Sequence, residues 1–304
     1  MERVIVFGAG DNYRKLKEKL ENQYNILAVV DNKYKEIGHS IKSPEYIRET
    51  SFDKIIITPN IFLDIYKQLI NMGVDPEKIV IYGSEVDDYK MNILGNSYWG
   101  QHADDLIVEA IFSRINILKP SYIDLGCNHP SKCSNTIALY INGCRGINID
   151  ASPQVIDIVN IFKTEDININ RGVAAKTGVL KFYMANDCCG RNSFVKEEMR
   201  DMEVKKTIDV PVVTLKSIID EYCPDGFPDF LDCDIEGLDY EVLESYDFLK
   251  DGPKVICVEV REKDINKFDD MLDGKGYYKF CRIGENNIYV QKKYSNVVSH
   301  MSME

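Results

Sequence analysis

Ser121 to Asn128 reads SYIDLGCN and Gly146 to Pro153 reads GINIDASP, and these two stretches decide the fold. Each is a short apolar run closed by an acid, as expected of a buried parallel strand that delivers one polar side chain to a crevice at its carboxyl end. The interval between Asp124 and Asp150 leaves room for one crossover helix, and Ser134 to Asn142, SNTIALYIN, has the apolar spacing to supply it. The unit predicted is βαβ.

Gly126 permits a tight turn after the first strand, with free amides at the start of the next helix. Asp124 stands just before that turn. Asp150, closing the second strand, is placed to accept both hydroxyls of a ribose. On these residues alone the crevice suits a dinucleotide as well as S-adenosylmethionine.

The later strands come in a fixed order. From Ile167 the chain reads ININRGVAAKTGVLKFYM, then NSFV at Asn192 to Val195, VPVVTLKSIIDEY, PDFLDCDIEGLDYEVLESYDF and PKVICVEV. With the opening stretch this series resembles the FkbM-type methyltransferases dependent on S-adenosylmethionine. In that family a DxGxN turn, a strand ending in an acid plus Pro, a GVA segment, a TL segment and a DxEG motif succeed one another. The resemblance spans about residues 119–293. It implies a class I methyltransferase domain with a seven-stranded mixed sheet. It also implies cofactor contacts from Asp124, Gly126, Cys127, Asn128, Asp150, Ala151 and Ala174. After Asn128 the chain has His129 and Pro130 where the family usually has Gly. This looks closer to a DxGxNHP branch that modifies sugars, which implies a sugar or nucleotide-sugar substrate.

The acids at strand ends supply the chemistry. LDCDIEG sets Asp232, Asp234 and Glu236 at alternating positions, so an extended chain points all three the same way, and Glu259 closes ICVEV. Parallel strands bring these ends to one rim. There a carboxylate can take the proton of a hydroxyl, or Asp234, Glu236 and Glu259 can gather a divalent ion. Asp232 and Glu236 can equally cap the next helix or pair with a cation. His129 is a second proton acceptor or a fixture of its turn. Arg191, Asn192 and Ser193 are either turn formers or contacts for the acceptor or the methionine carboxylate. Arg261 and Lys263 are a solvated charge run or a phosphate contact.

The amino-terminal part repeats the pattern. RVIVF runs into GAGDNY, and ILAVVDN ends a second strand at Asp31. Gly8 and Gly10 stand where a dinucleotide fingerprint has its first two glycines, but Tyr13 takes the place of the third. This part resembles the small Rossmann-like nucleotide-sugar or adaptor domains attached to glycan-synthesis enzymes. Nucleotide binding, a packing or dimerising role, and an NAD site all stay open for it. The expected organisation is a Rossmann-like domain at 1–90, a linker and lead-in helix at 91–118, a methyltransferase domain at 119–293 and a loose tail at 294–304. The linker carries the one tryptophan, Trp99, as an inter-domain packing anchor or a sugar platform.

With 304 residues, 44% hydrophobic and 28% charged, the chain reads as an ordinary globular α/β protein. A net charge of −12 argues against a nucleic-acid partner. The absence of a long apolar run or signal pattern leads to an expectation of a cytoplasmic protein without a transmembrane segment. Nine cysteines without CxxC spacing fit packed thiols in a reducing compartment, the adjacent Cys188 and Cys189 being the exception in pattern. Self-association is left open. The function expected is O-methylation of a sugar hydroxyl on a surface glycan or its nucleotide-activated precursor. The alternatives are an NAD-dependent oxidoreductase or epimerase working through the amino-terminal domain, and a non-catalytic nucleotide-sugar-binding protein.

Overall fold

The computed structural model describes residues 1–38, 40–59, 62–81, 91–93, 96–130, 132–187, 189–199 and 202–298. Two compact units divide the chain at Met91 and Asn92.

In the first unit β1 (Arg3–Phe7), α1 (Asp11–Gln23), β2 (Asn25–Val30), β3 (Lys54–Ile57), α2 (Leu63–Asn71) and β4 (Ile79–Ile81) come in that order. They build an all-parallel sheet in the order β2–β1–β3–β4. Val4, Ile5, Val6 and Phe7 are buried on both faces, hence their unbroken apolar run. Gly8 comes next with φ +106°, and a Cβ there would meet Pro59 at 2.5 Å. The Ala9 amide donates to Asp31 Oδ2 at 2.9 Å, so the acid ending β2 holds the loop after β1. A Cβ on Gly10 would project into open space.

The second unit begins with α3 (Asp104–Arg114), β5 (Tyr122–Leu125), α4 (Ile137–Ile141), β6 (Gly146–Asp150), α5 (Pro153–Phe162) and β7 (Ile167–Asn170). It continues with β8 (Gly172–Val173), β9 (Gly178–Met184), β10 (Lys206–Val213), α6 (Leu215–Tyr222), β11 (Phe230–Cys233) and α7 (Asp239–Ser245). It closes with β12 (Val255–Glu259), α8 (Ile265–Gly274), β13 (Tyr277–Ile283) and β14 (Asn286–Gln291). The main sheet runs β13–β14–β12–β11–β5–β6–β7, with β14 antiparallel to both of its neighbours and the rest parallel. This is a seven-stranded mixed sheet, as expected from the sequence. A smaller sheet, β8–β10–β9, stands beside it.

Strand parity divides the core. Ile123, Leu125, Leu231, Cys233, Ile256 and Val258 face one way, onto α6, α7 and α8. Tyr122, Phe230, Val255 and Cys257 face the other, onto Val108, Ile111 and Phe112 of α3. Asp124, Asp232 and Glu259 continue this second set to the carboxyl ends of their strands, where Asp232 is in register with Asp124.

Two expectations are corrected. The crossover helix does not start at Ser134: Ser134, Asn135 and Thr136 are buried, Ser134 Oγ accepts from the Ile137 amide, and Thr136 reaches back to Asp124, so loop replaces the first turn. The tail is packed at its start, because Ser295–Val298 form a helical turn whose Val298 is fully buried against α3 residues. Trp99 is buried, and its amide bonds Asp105 in the first turn of α3. Cys188 lies outside the described residues. Among the described residues no helix is long and apolar enough to cross a membrane.

Candidate active site

The loop after β5 is held by its neighbours. Gly126 has φ +80°, and a Cβ there would fall 1.8 Å from the Asp234 carbonyl oxygen, so no larger residue fits this crossing of two loops. Asn128 is also left-handed, at φ +45°, and its amide donates to Asp150 Oδ2 at 3.1 Å. Asp150 Oδ1 takes the Ser152 amide at 2.7 Å. The carboxyl group thus ties together the loops after β5 and β6, and each oxygen keeps a lone pair for a ligand. Burial pushes its pKa up to about 6, against two amide bonds that pull it down.

These loops border about 490 Å³ of empty space, part of it open to solvent. Its polar wall includes Asp150, Ser152, Asn128 and Asn192; Ile149, Val155, Val173, Phe182, Phe194 and Ile235 form an apolar slot. A carboxylate for a diol beside a slot for a flat base is a donor set that fits an adenosine. Asp150→Ala is expected to weaken S-adenosylmethionine binding by about 10²–10⁴-fold, the equivalent of two charge-assisted bonds at roughly 1.5–3 kcal/mol each; calorimetric titration measures it.

A second cleft adjoins the first, with about 1260 Å³ of empty space open to solvent. The two share Gly126, Asn128, Gly190, Asp234 and Glu236 as a common wall. Apart from Gly126, Gly190, Cys127 and Cys133, every described residue lining the second cleft is polar. Here Asp234, Glu236 and Glu259 each offer an oxygen, all within 4.8 Å of one another. Oxygen-only donors at that spacing could hold a hard divalent ion. Glu236 reaches this position through a left-handed backbone, φ +54°, pinned by the Ser193 hydroxyl donating to its carbonyl at 2.6 Å. Burial and the neighbouring Glu236 push Glu259 up to about 8. Asp234 is raised well above the carboxylate range by burial, then by Glu259 and Glu236.

Other expected site residues have different surroundings. Asp124 lines the acidic cleft rather than the 490 Å³ pocket. Its carboxylate accepts from the Thr136 hydroxyl at 2.5 Å and lies 3.9 Å from Lys163 Nζ, which is buried and also donates to Asn148 Oδ1 at 2.9 Å. Asp232 lines the same cleft and accepts from Asn135 at 3.2 Å. The Cys127 side chain packs with Val155, Ile156 and Val159 of α5. Ala151 lines the pocket; Ala174 does not, because its amide bonds Val213 and extends the β8–β10 pairing, leaving Gly172 and Val173 as the wall. His129 lines neither cleft, since the chain turns at left-handed Asn128 and the imidazole packs 6.3 Å from the Phe162 ring. Asn192 holds its own loop through Ala185 and Asn186. Arg261 pairs with Glu198. Cys189 lines the pocket as a free thiol.

Residues 102–278, more than half of the chain, match the family model described as the methyltransferase FkbM domain, and residues 1–80 match one described as C2185-like, N-terminal. No curated protein matches the chain in sequence. Among solved structures it is similar to a TehB-like SAM-dependent methyltransferase from Corynebacterium glutamicum ATCC 13032 Kitasato, at 9% identity and TM-score 0.35, covering 76% of this chain and 96% of that one. It is similar to the magnesium protoporphyrin IX methyltransferase of Synechocystis PCC 6803 at 11% and 0.36, covering 62% and 77%. A third is the precorrin-6y C5,15-methyltransferase from Geobacter metallireducens GS-15, at 11% and 0.34, covering 68% and 95%.

Proposed function

The chain belongs to the FkbM methyltransferase family and is a methyltransferase dependent on S-adenosylmethionine; on that premise we propose that it methylates a hydroxyl of a sugar, on a surface glycan or its nucleotide-activated precursor. The observation that carries this reading is the common wall between a slot fitted to adenosine and a cleft lined by carboxylates, with hardly an apolar side chain. Flat or aliphatic acceptors would find mostly polar surface there. A polyol brings hydrogen-bond donors, which carboxylates accept.

In this reading Asp150 and the Gly126–Asn128 turn hold the cofactor, together with Ala151 and the apolar slot. When bound, S-adenosylmethionine supplies a methyl group already made electrophilic by its sulfonium. The protein's work is to orient the alcohol and accept its proton. Glu236 and Asp234, on the common wall, orient the hydroxyl; Glu259 receives the proton as the new O–C bond forms and the S–C bond breaks. Orientation is worth roughly 7–11 kcal/mol and a placed base about 10²–10⁴ in rate.

Asp234, Glu236 and Glu259 would also suit a divalent cation that lowers the pKa of the hydroxyl. Thermal melts with Mg²⁺ or Mn²⁺ separate the two roles: a metal site predicts a rise in Tm with metal, lost in Asp234→Asn, and activity abolished by EDTA. Activity that survives EDTA, with no rise in Tm, assigns the trio to proton transfer alone.

For the amino-terminal unit, the loop held by Asp31 and the open space beside Gly10 favour binding of a nucleotide-type ligand. Titration with UDP-sugars and NAD, repeated on Gly10→Val, tests it; unchanged heats in the variant would refute it.

A further inference from the structure

The acidic cleft bears on which form of the sugar arrives. We infer that the acceptor enters without a phosphate, as a neutral or ammonium-bearing sugar already held in a glycosidic bond, so that a glycosyl transfer precedes methylation. This rests on the sugar reading of the same site.

Among the described residues seven carboxylates line the cleft, the trio together with Asp124, Asp232, Glu198 and Glu285, and two arginines and no lysine stand with them. Lys163 balances Asp124 from behind, and Arg261 is committed to Glu198, so Arg191 is the other cation on the wall. A hydroxyl placed at the common wall puts an anomeric phosphate about one ring's width from the carboxylate trio. The charge that repels it comes from Glu236 and Glu285, since Glu259 and Asp234 hold their protons at neutral pH. Sugar O–H and N–H groups meet the same wall as donors. Lys263 and Lys267 belong to an adjoining cleft beyond the Arg261–Glu198 pair, beside Glu241 and Asp264, and Lys267 lies over the Tyr240 ring at 3.4 Å.

Matched acceptors test the inference on the full chain with labelled S-adenosylmethionine. Methyl hexosides and methyl hexosaminides are compared with the corresponding hexose 1-phosphates and UDP-hexoses. Whichever sugar accepts the methyl group, its glycoside is expected to show kcat/KM about ten-fold or more above its 1-phosphate at low salt. The ratio should shrink at high salt and in Glu285→Gln. A phosphate or UDP form used as well as the glycoside, or a ratio unmoved by both salt and Glu285→Gln, overturns the inference and leaves the sugar reading standing. If that use is lost in Lys263→Ala/Lys267→Ala, phosphate in the adjoining cleft is the reason. Methylation of no sugar in either form, by protein that still binds the cofactor, overturns both.

Discussion

Glu259→Gln is expected to lower methyl transfer by about 10²–10⁴-fold and, at pH 9, to be more stable than the unaltered protein. Both effects come from one carboxyl group. Burial, then Glu236, Asp239 and Glu285, push Glu259 up to about 8 from an ordinary 4.5. Between these two values the folded chain keeps a proton that the unfolded chain has released. The stability contributed by that proton is complete below pH 4.5 and is lost as pH rises through 8. At about 1.4 kcal/mol per unit of the difference between the two values, the loss by pH 9 is up to about 5 kcal/mol. Glutamine fills the same space without ionising and does not incur it. Melts of both proteins from pH 5 to 9 should diverge as pH rises, and the rate of the unaltered enzyme should climb through pH 8 as the base is freed. Parallel melting curves would show that Glu259 carries no such cost.

Gly126→Ala should abolish cofactor binding. The added methyl would lie 1.8 Å from the Asp234 carbonyl, on a backbone at φ +80° that L side chains rarely adopt. Strain and collision together are expected to cost roughly 2–4 kcal/mol. Something must move, and what moves is the crossing of the β5–α4 and β11–α7 loops, the wall common to both clefts. The variant should therefore lose S-adenosylmethionine affinity and acceptor turnover together. Circular dichroism and a melt establish that the sheet persists, and calorimetry reads the affinity. A folded variant that binds the cofactor normally would show that the crossing does not shape the site.

Strand parity and the acids at strand ends made the main sheet legible in SYIDLGCN, GINIDASP, FLDCDIEG and VICVEV. Burial on both faces forces such runs to be apolar until the ligand edge, so few other arrangements accommodate them. Alternation likewise anticipated that Asp232, Asp234 and Glu236 would line one cleft, although β11 ends at Cys233 and Glu236 arrives through a left-handed turn. The position of His129 was not legible, because it depends on the backbone sign at Asn128, which Asn adopts only in context. Ser134 to Thr136 read as helix because their apolar successors have helical spacing; the Thr136 hydroxyl found buried partners in Asp124 and Lys163 instead. The far wall of the acidic cleft, Gln101, His102, Glu285 and Asn286, was missed for a topological reason. These residues come from opposite ends of the domain, and only the antiparallel return of β14 beside β12 brings Asn286 opposite Glu259. Glu285 and Asn286 belong to GENN, residues 284–287, a turn sequence between two apolar runs, and that was the available signal. Phe182 and Phe194 lie in the KFYM and NSFV segments, but their closure over one slot depends on Tyr183 of β9 pairing with Ser193, a register that composition leaves open.

The most direct measurement is mass spectrometry of a glycan acceptor incubated with the full chain and S-adenosylmethionine carrying a trideuterated methyl group. The label should appear on a sugar oxygen with the unaltered protein and be lost with Glu259→Gln, although that variant still binds the cofactor. Label on nitrogen, or undiminished transfer by Glu259→Gln, would contradict a carboxylate rim that deprotonates an alcohol.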